Sequence, residues 1–207
     1  MTAPLGFVVG LAAEARIVRR VGAVAIGGGL PAGAGAAAEA LVAQGVRILV
    51  SFGLAGGLDP ALRPGDLVVP ATVRTDETDF PTVDIFGIGT KGTLLAGTTI
   101  ITTAVAKNAA FHRSGAASVD LESGAVAQVA QRHNLPFAVI RAVCDPAERD
   151  LPPAALAALD RQGGIGLWRV LASVGAHPGQ VPGLIALARD AALARRALVR
   201  SAVQIRL

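Results

Sequence analysis

The sequence predicts an α/β fold, with a central mixed and mostly parallel sheet flanked by helices, and three observations carry that expectation. Short apolar runs punctuated by glycine dominate the first two thirds of the 207 residues. Several of these runs are continuous rather than alternating, as strands covered on both faces require. Alanine-rich helical stretches lie between them, and strands that alternate with helices favour parallel pairing.

Taken in order, strands are expected at residues 5–11, 21–26, 46–52, 66–69, 98–103, 116–121 and 137–143. The first helix is expected at 32–44, since Pro31 suits an opening turn and Gly45 a C-terminal stop. A second is expected at 123–133, closed by His133 at the negative end of the helix dipole. Residues 74–92 are the most polar and irregular stretch, and read as a surface loop or weak hairpin. After Pro152 the chain turns helical, at 153–161, 166–174 and 182–203. No linker or internal repeat divides it, so residues 1–207 form one domain, with 181–207 as a basic C-terminal helix.

Composition narrows the class. Apolar residues make up 52% and charged residues 16%, which excludes a disordered chain. The uncharged stretch between Arg20 and Glu39 holds six glycines and Pro31, so it reads as strand, turn and helix start rather than a membrane span. The first residues lack the basic region of a signal peptide, and a cytoplasmic location is expected. One cysteine, Cys144, excludes a disulfide framework. The three histidines, 112, 133 and 177, have no metal-ligand spacing, so no metal is expected. The net charge of +4 sits in the last 27 residues, where Arg189, Arg195, Arg196, Arg200 and Arg206 face one acid, Asp190. With six Phe, one Trp and no Tyr the chain lacks stacking platforms, and nucleic acid is discounted as a partner. In the last helix Leu184, Leu187, Ala188, Ala191 and Leu198 form an apolar stripe between arginines. It reads either as a helix solvated on one face, or as one resting on an anionic membrane surface.

Three features bear on chemistry. Gly27, Gly28 and Gly29 precede a helix, where exposed backbone N–H groups can hold an anion or simply make a tight turn. They are not a dinucleotide fingerprint, since no acid follows the second strand. The run from Ser51 to Pro70 ends a strand in a Gly-Leu-Ala-Gly-Gly turn and opens another through Pro-Gly-Asp. Finally, Glu122 and Asp145 each sit where an apolar strand ends, the edge at which α/β sheets bind ligands. The competing structural role is helix capping by Asp120 or Ser123, and a turn opened by Asp145 before Pro146.

At these residues the chain resembles the purine nucleoside phosphorylase and methylthioadenosine/S-adenosylhomocysteine nucleosidase superfamily. The matching pieces are GLAAEA at 10–15, the glycines at 27–29, FGLAGGL at 52–58 with PGDLVVP, VDLESGAVAQVA at 119–130, and IRAVCD at 140–145. They occur in the family's order. GLAAEARI, the extended glycine turn and the short Arg-rich C-terminus look most like the hopanoid-associated phosphorylases. That resemblance implies release of adenine from adenosylhopane, a 5′-modified adenosine, with inorganic phosphate as acceptor and no cofactor. The rival is a nucleosidase that uses water on methylthioadenosine or S-adenosylhomocysteine. A rival of another class is an adenine-nucleoside binding protein without turnover. The superfamily also implies a homo-oligomer.

Site roles follow from the resemblance. Asp145 matches the aspartate at the leaving base, and its apolar strand would raise its pKa by desolvation. Glu122 matches the carboxylate that grips the ribose hydroxyls, above Leu121 in place of methionine. Glu14 is the candidate for activating the nucleophile, although the family's glutamate aligns with Ala15. Ser51 stands where phosphorolytic relatives carry arginine, and Leu54 where they carry serine. Phosphate would therefore rest on Gly27, Gly28, Gly29 and Ser51, with charge from Arg16 or Arg141. Leu54, Ala55, Gly56, Leu121 and Cys144 are expected around the substrate, with Cys144 as lining rather than nucleophile. Phe111, placed in the loop before Val119, would cover the adenine. Leu54 makes the pocket more apolar, as a bulky 5′ hydrocarbon requires; ordinary strand-end packing explains it equally.

Overall fold

The strand Leu5–Val9 (β1) is buried at every position because it lies between two parallel neighbours, Ala23–Ile26 (β2) and Ile48–Gly57 (β3). This computed structural model describes residues 4–85, 87–158 and 178–205. Among them, β3 also pairs in parallel with Phe137–Asp145 (β9), which in turn carries the two-residue antiparallel strand Leu67–Val68 (β4). Beyond a register shift at Ala55/Gly56, the end of β3 pairs antiparallel with Ser118–Asp120 (β8). Thr93–Ala96 (β7) continues the sheet from β8, and Thr72–Arg74 (β5) pairs with β7, both in parallel. Asp79–Pro81 (β6) closes a hairpin on β5. The expected class, a mostly parallel mixed sheet flanked by helices, is the class observed.

Strand alternation sends side chains to two cores, which is why helices cover both faces. Val8, Leu49 and Val139 meet the alanine-rich helices Pro31–Ala43 (α2) and Ser123–Arg132 (α4). Phe7, Val50, Phe52 and Ile140 point the other way, toward Ala12–Val18 (α1) and the C-terminal helix. Small residues on α2, such as Ala34 and Ala38, allow close approach to the sheet. The turn before α2 is equally tight. A Cβ on Gly33 would lie 1.9 Å from the Gly27 carbonyl oxygen, and Gly28 and Gly29 both have φ of +74°.

Two helices that the sequence pattern does not announce are present, α1 and Ala104–Ser114 (α3). The expected strand at 98–103 is corrected: the strand is β7, ending at Ala96, and residues 98–103 lead into α3. The turn expected after residue 52 is corrected too, because β3 runs extended to Gly57. The irregular stretch contains the β5–β6 hairpin. The helix expected at 153–161 is described as Pro153–Ala158 (α5), and the one at 182–203 as Val181–Gln204 (α6). The helix expected at 166–174, His177 and Arg206 lie outside the described residues. No helix among the described residues is long and apolar enough to cross a membrane.

Candidate active site

Four strands deliver their C-terminal ends to one place, a cavity of about 480 Å³. β1 ends at Gly10 and Leu11, β3 brings Leu54, Ala55 and Gly56, β8 brings Asp120, Leu121 and Glu122, and β9 brings Arg141, Cys144 and Asp145. Glu14 enters from the first turn of α1. This is the edge at which parallel sheets present ligand sites, since the strand ends leave loops and side chains free to converge.

Part of the lining is a charge cluster. Arg141 is 1% exposed; its Nη2 lies 2.6 Å from Asp120 Oδ2, and its Nη1 donates to Glu122 Oε2 at 3.1 Å. Nη2 also donates to Ser51 Oγ at 2.6 Å. Burial alone would lower the guanidinium's pKa, but Asp120, Glu122 and Glu14 raise it, so Arg141 stays charged. Asp120 also begins α4, because its Oδ1 accepts from the backbone N–H of Ser123 at 3.1 Å. Glu122 holds the N-cap position without a side-chain cap bond, so the N–H of the first helical residue is satisfied by Asp120 and the Glu122 carboxylate is left to the cavity.

Glu122 is 5% exposed, and its Oε1 is buried without a hydrogen-bond partner. Burial pushes its carboxyl up, and Arg141 pulls it back less strongly. The Gly29 backbone N–H also pulls it down. Glu14 accepts three backbone N–H bonds, from Gly10 at 3.0 Å, Leu11 at 2.8 Å and Leu54 at 3.0 Å. Burial and then the charge of Glu122 nevertheless raise its pKa to about 7. Two glycines make room for these acids. A Cβ on Gly53 would lie 2.7 Å from Glu14 Oε1, and one on Gly10 would lie 2.9 Å from Glu122 Oε1.

Asp145 stands apart from this cluster. Its Oδ2 lies 2.6 Å from Nζ of Lys107, a fully buried residue of α3. Burial raises its carboxyl, and Lys107 opposes that rise. The adjacent Cys144 thiol is pushed up to about 12 by burial and then by Asp145, so it is not a thiolate nucleophile near neutral pH.

Much of the remaining lining is aliphatic. Ile100, Ile101, Leu151, Ala154 and Ala155 contribute to it. Leu184, Leu187, Ala188 and Ala191 of α6 line it too. Most of the apolar stripe of the basic helix therefore lines this cavity, while Leu198 packs into the core. Arg189, Arg195, Arg196 and Arg200 face solvent. Arg149, on the loop after β9, pairs with the helix's lone acid, Asp190, at 2.5 Å.

Of the expected site residues, Glu14, Glu122, Asp145, Leu54, Ala55, Gly56, Leu121 and Cys144 all line the cavity. Gly29 lines it, whereas Gly27 and Gly28 do not, because the turn bends away toward α2. Ser51 is corrected: it is wholly buried beneath the cavity, where its hydroxyl holds Arg141 and Ser123. Phe111 is corrected as well. It sits on α3, not in a loop, and packs beside Leu58, Ala110 and Val119 instead of lining the cavity. Arg16 is exposed on α1 and absent from the lining. Lys107 is the residue for which the sequence raised no expectation. Its signal was legible, since no other Asp, Glu, Lys or Arg stands between Lys91 and Arg113. No cluster of three or more potential metal ligands occurs among the described residues.

Comparison with known proteins places these features in a family. The model of the phosphorylase superfamily matches residues 7–87 and 88–162. The DeoD-type purine nucleoside phosphorylase of Streptococcus pyogenes serotype M5 is 26% identical over 149 residues, 61% of this chain and 63% of that protein. The chain thus matches less than two thirds of that relative's length. Among solved structures, the methylthioadenosine/S-adenosylhomocysteine nucleosidase of Neisseria meningitidis, in complex with methylthio-immucillin-A, superposes with a TM-score of 0.71. It is 14% identical, over 99% of this chain and 98% of that one. The corresponding nucleosidase of Colwellia psychrerythraea 34H, in complex with adenine, has a TM-score of 0.65 and is 21% identical, over 84% and 96%. Futalosine hydrolase of Helicobacter pylori has a TM-score of 0.62 and is 16% identical, over 70% and 88%. At these identities the structural likeness establishes the fold.

Proposed function

Because the chain belongs to the phosphorylase superfamily, we propose that it breaks the N-ribosyl bond of an adenosine carrying a large apolar 5′ group. Adenosylhopane is the candidate substrate, phosphate the acceptor and adenine the leaving group. The observation that carries this reading is one cavity lined both by strand-end carboxylates and by many aliphatic residues, several of them from α6.

The roles of the acids follow from their surroundings. Glu122 Oε1, buried without a partner, is suited to accept from a ribose hydroxyl, a bond that strengthens as the sugar gains positive charge. Asp145 is suited to give a proton to the departing base, because burial keeps its carboxyl protonated to higher pH than usual. The aliphatic lining gives the 5′ substituent an apolar environment. An anionic membrane surface as the source of such a substrate belongs to the same proposal, supported by the exposed arginines of α6 beside exposed Ile185 and Val203.

A second reading, with water as acceptor, rests on a specific observation. Arg141 is the only cation among the described lining residues, and Asp120 and Glu122 already engage it. A phosphate would meet three carboxyl groups, Glu14, Asp120 and Glu122, beside one guanidinium, whereas Glu14, with a pKa of about 7, is matched to deprotonate water. Adenine release from adenosylhopane and from methylthioadenosine, each with and without inorganic phosphate, separates the readings. Release from the hopanoid that requires phosphate supports the first, and phosphate-independent release supports the second. Asp145→Asn is expected to slow either by about a hundredfold or more. No adenine from any combination leaves the binding-protein reading.

A further inference from the structure

Lys107 is the only buried lysine among the described residues, and α3 turns it toward the end of β9. Besides Asp145 Oδ2 at 2.6 Å, its Nζ donates to the backbone carbonyls of Pro146 at 3.0 Å and Arg149 at 2.8 Å. An ammonium has three hydrogens and no acceptor, so all three are committed. A neutral amine would turn its lone pair toward one of three acceptors. With Asp145 ionised, the three acceptors match the three hydrogens of an ammonium. The loop after β9 is tied to the start of α3 twice more. Asp150 Oδ1 accepts from the N–H of Ala104 at 2.7 Å, and the N–H of Leu151 donates to the Thr102 carbonyl at 2.7 Å. Lys107 and Asp145 are held in register from both sides.

We propose that Lys107 is a positioning residue for the leaving-group acid: it fixes Asp145 Oδ2, leaves Oδ1 for the base, and stabilises the carboxylate formed as Asp145 gives up its proton. This rests on the reading of Asp145 as the group facing the departing adenine. As the C1′–N9 bond breaks, its electron pair enters the purine ring and N7 takes the Asp145 proton. The acceptor oxygen bonds C1′, and Lys107 keeps all three of its hydrogens. The ammonium thus makes a buried carboxyl a stronger acid without itself exchanging a proton. The charged groups acting on Asp145 are Lys107 from α3, Arg149 from the loop and Asp190 from α6. Arg149 and Asp190 pair with each other, which leaves Lys107 as the direct partner.

Lys107→Met and Lys107→Arg test this, read by the pH profile of adenine release and by carbon-13 titration of the Asp145 carboxyl, assigned with Asp145→Asn. In Lys107→Met the Asp145 titration and the alkaline limb of kcat are expected to move upward together, by about one pH unit or more. Over the same change kcat falls about tenfold or more, with KM little changed. Lys107→Arg, which keeps the charge, holds both near their original positions. An Asp145 titration that stays in place in Lys107→Met, or shifts equally in both variants, overturns the proposal. Full activity in Asp145→Asn overturns instead the reading beneath it. Should Lys107→Met fail to fold, nitrogen-15 spectra of wild-type Lys107 decide. An ammonium throughout the Asp145 titration is expected, and a neutral amine overturns the proposal.

Discussion

Glu14 gathers the most conflicting influences of any residue in the site. Three backbone N–H groups favour its ionised form, yet burial and the nearby Glu122 outweigh them, and its pKa rises from 4.5 to about 7. The folded chain therefore holds this proton more tightly than the unfolded chain does. The resulting stabilisation is complete below about pH 4.5 and is lost as pH rises through about 7. At full effect the loss is on the order of 3 kcal/mol. Glu122 and Asp145 are raised as well and act with the same sign. Denaturant unfolding at pH 5 and pH 8 is expected to show lower stability at pH 8, and a smaller difference in Glu14→Gln. An equal difference in the two proteins would remove Glu14 as the titrating group. Its position was only half legible in the sequence. A glutamate near the end of the first strand stands out, but the carboxylate reaches the cavity because α1 begins at Ala12, directly after that strand.

At the scale of elements, β3 and α3 depart furthest from the pattern in the sequence, for opposite reasons. The glycines at the end of β3 suggest a turn, but the strand stays extended because they meet bulk on neighbouring elements. Gly53 lies against Glu14 and Arg141, and Gly57 against Val143. Gly53→Ala is therefore expected to displace the Glu14 carboxylate or the Arg141 guanidinium, lowering adenine release by about tenfold or more with a reduced Tm. Wild-type activity in that variant would mean that neither group needs its present place. The helix α3 was invisible for a different cause. Its buried residues are Lys107, Ala110 and Ser114, so the face that a helical pattern should mark as apolar is small and polar. A period search finds nothing there, although Thr103 caps the helix start and Gly115, at φ +63°, its end.

Across the whole molecule, the C-terminal helix joins the cavity to the core. From Ala194 onward its buried residues pack on Phe7, Val50 and Ile140, while its first half contributes to the aliphatic lining. One continuous helix thereby both packs on the sheet and lines the cavity. Leu187→Asp is expected to raise KM for a long-chain 5′-substituted adenosine by about ten- to a hundredfold, the equivalent of one leucine side chain's burial. Methylthioadenosine, with its short 5′ group, should be affected far less. Equal losses on both substrates would place the 5′ group elsewhere.

The fold class and most of the acids were legible in the chain itself, because both leave local marks. Continuous apolar runs signal strands covered on two faces, and Glu122 and Asp145 interrupt such runs at their ends. The helix at 31–43 announced itself through Pro31 and Gly45. Pairing between distant segments left no such mark. That Ser51 would lie under Arg141 and not beside a ligand depends on a parallel register between β3 and β9, 90 residues apart. That Lys107 would meet Asp145, and that the stripe of α6 would line a cavity, depends on how helices dock onto the sheet. Local sequence encodes which groups are apolar, charged or capped; long-range packing alone brings an ammonium and a carboxylate within 2.6 Å and seals them from water.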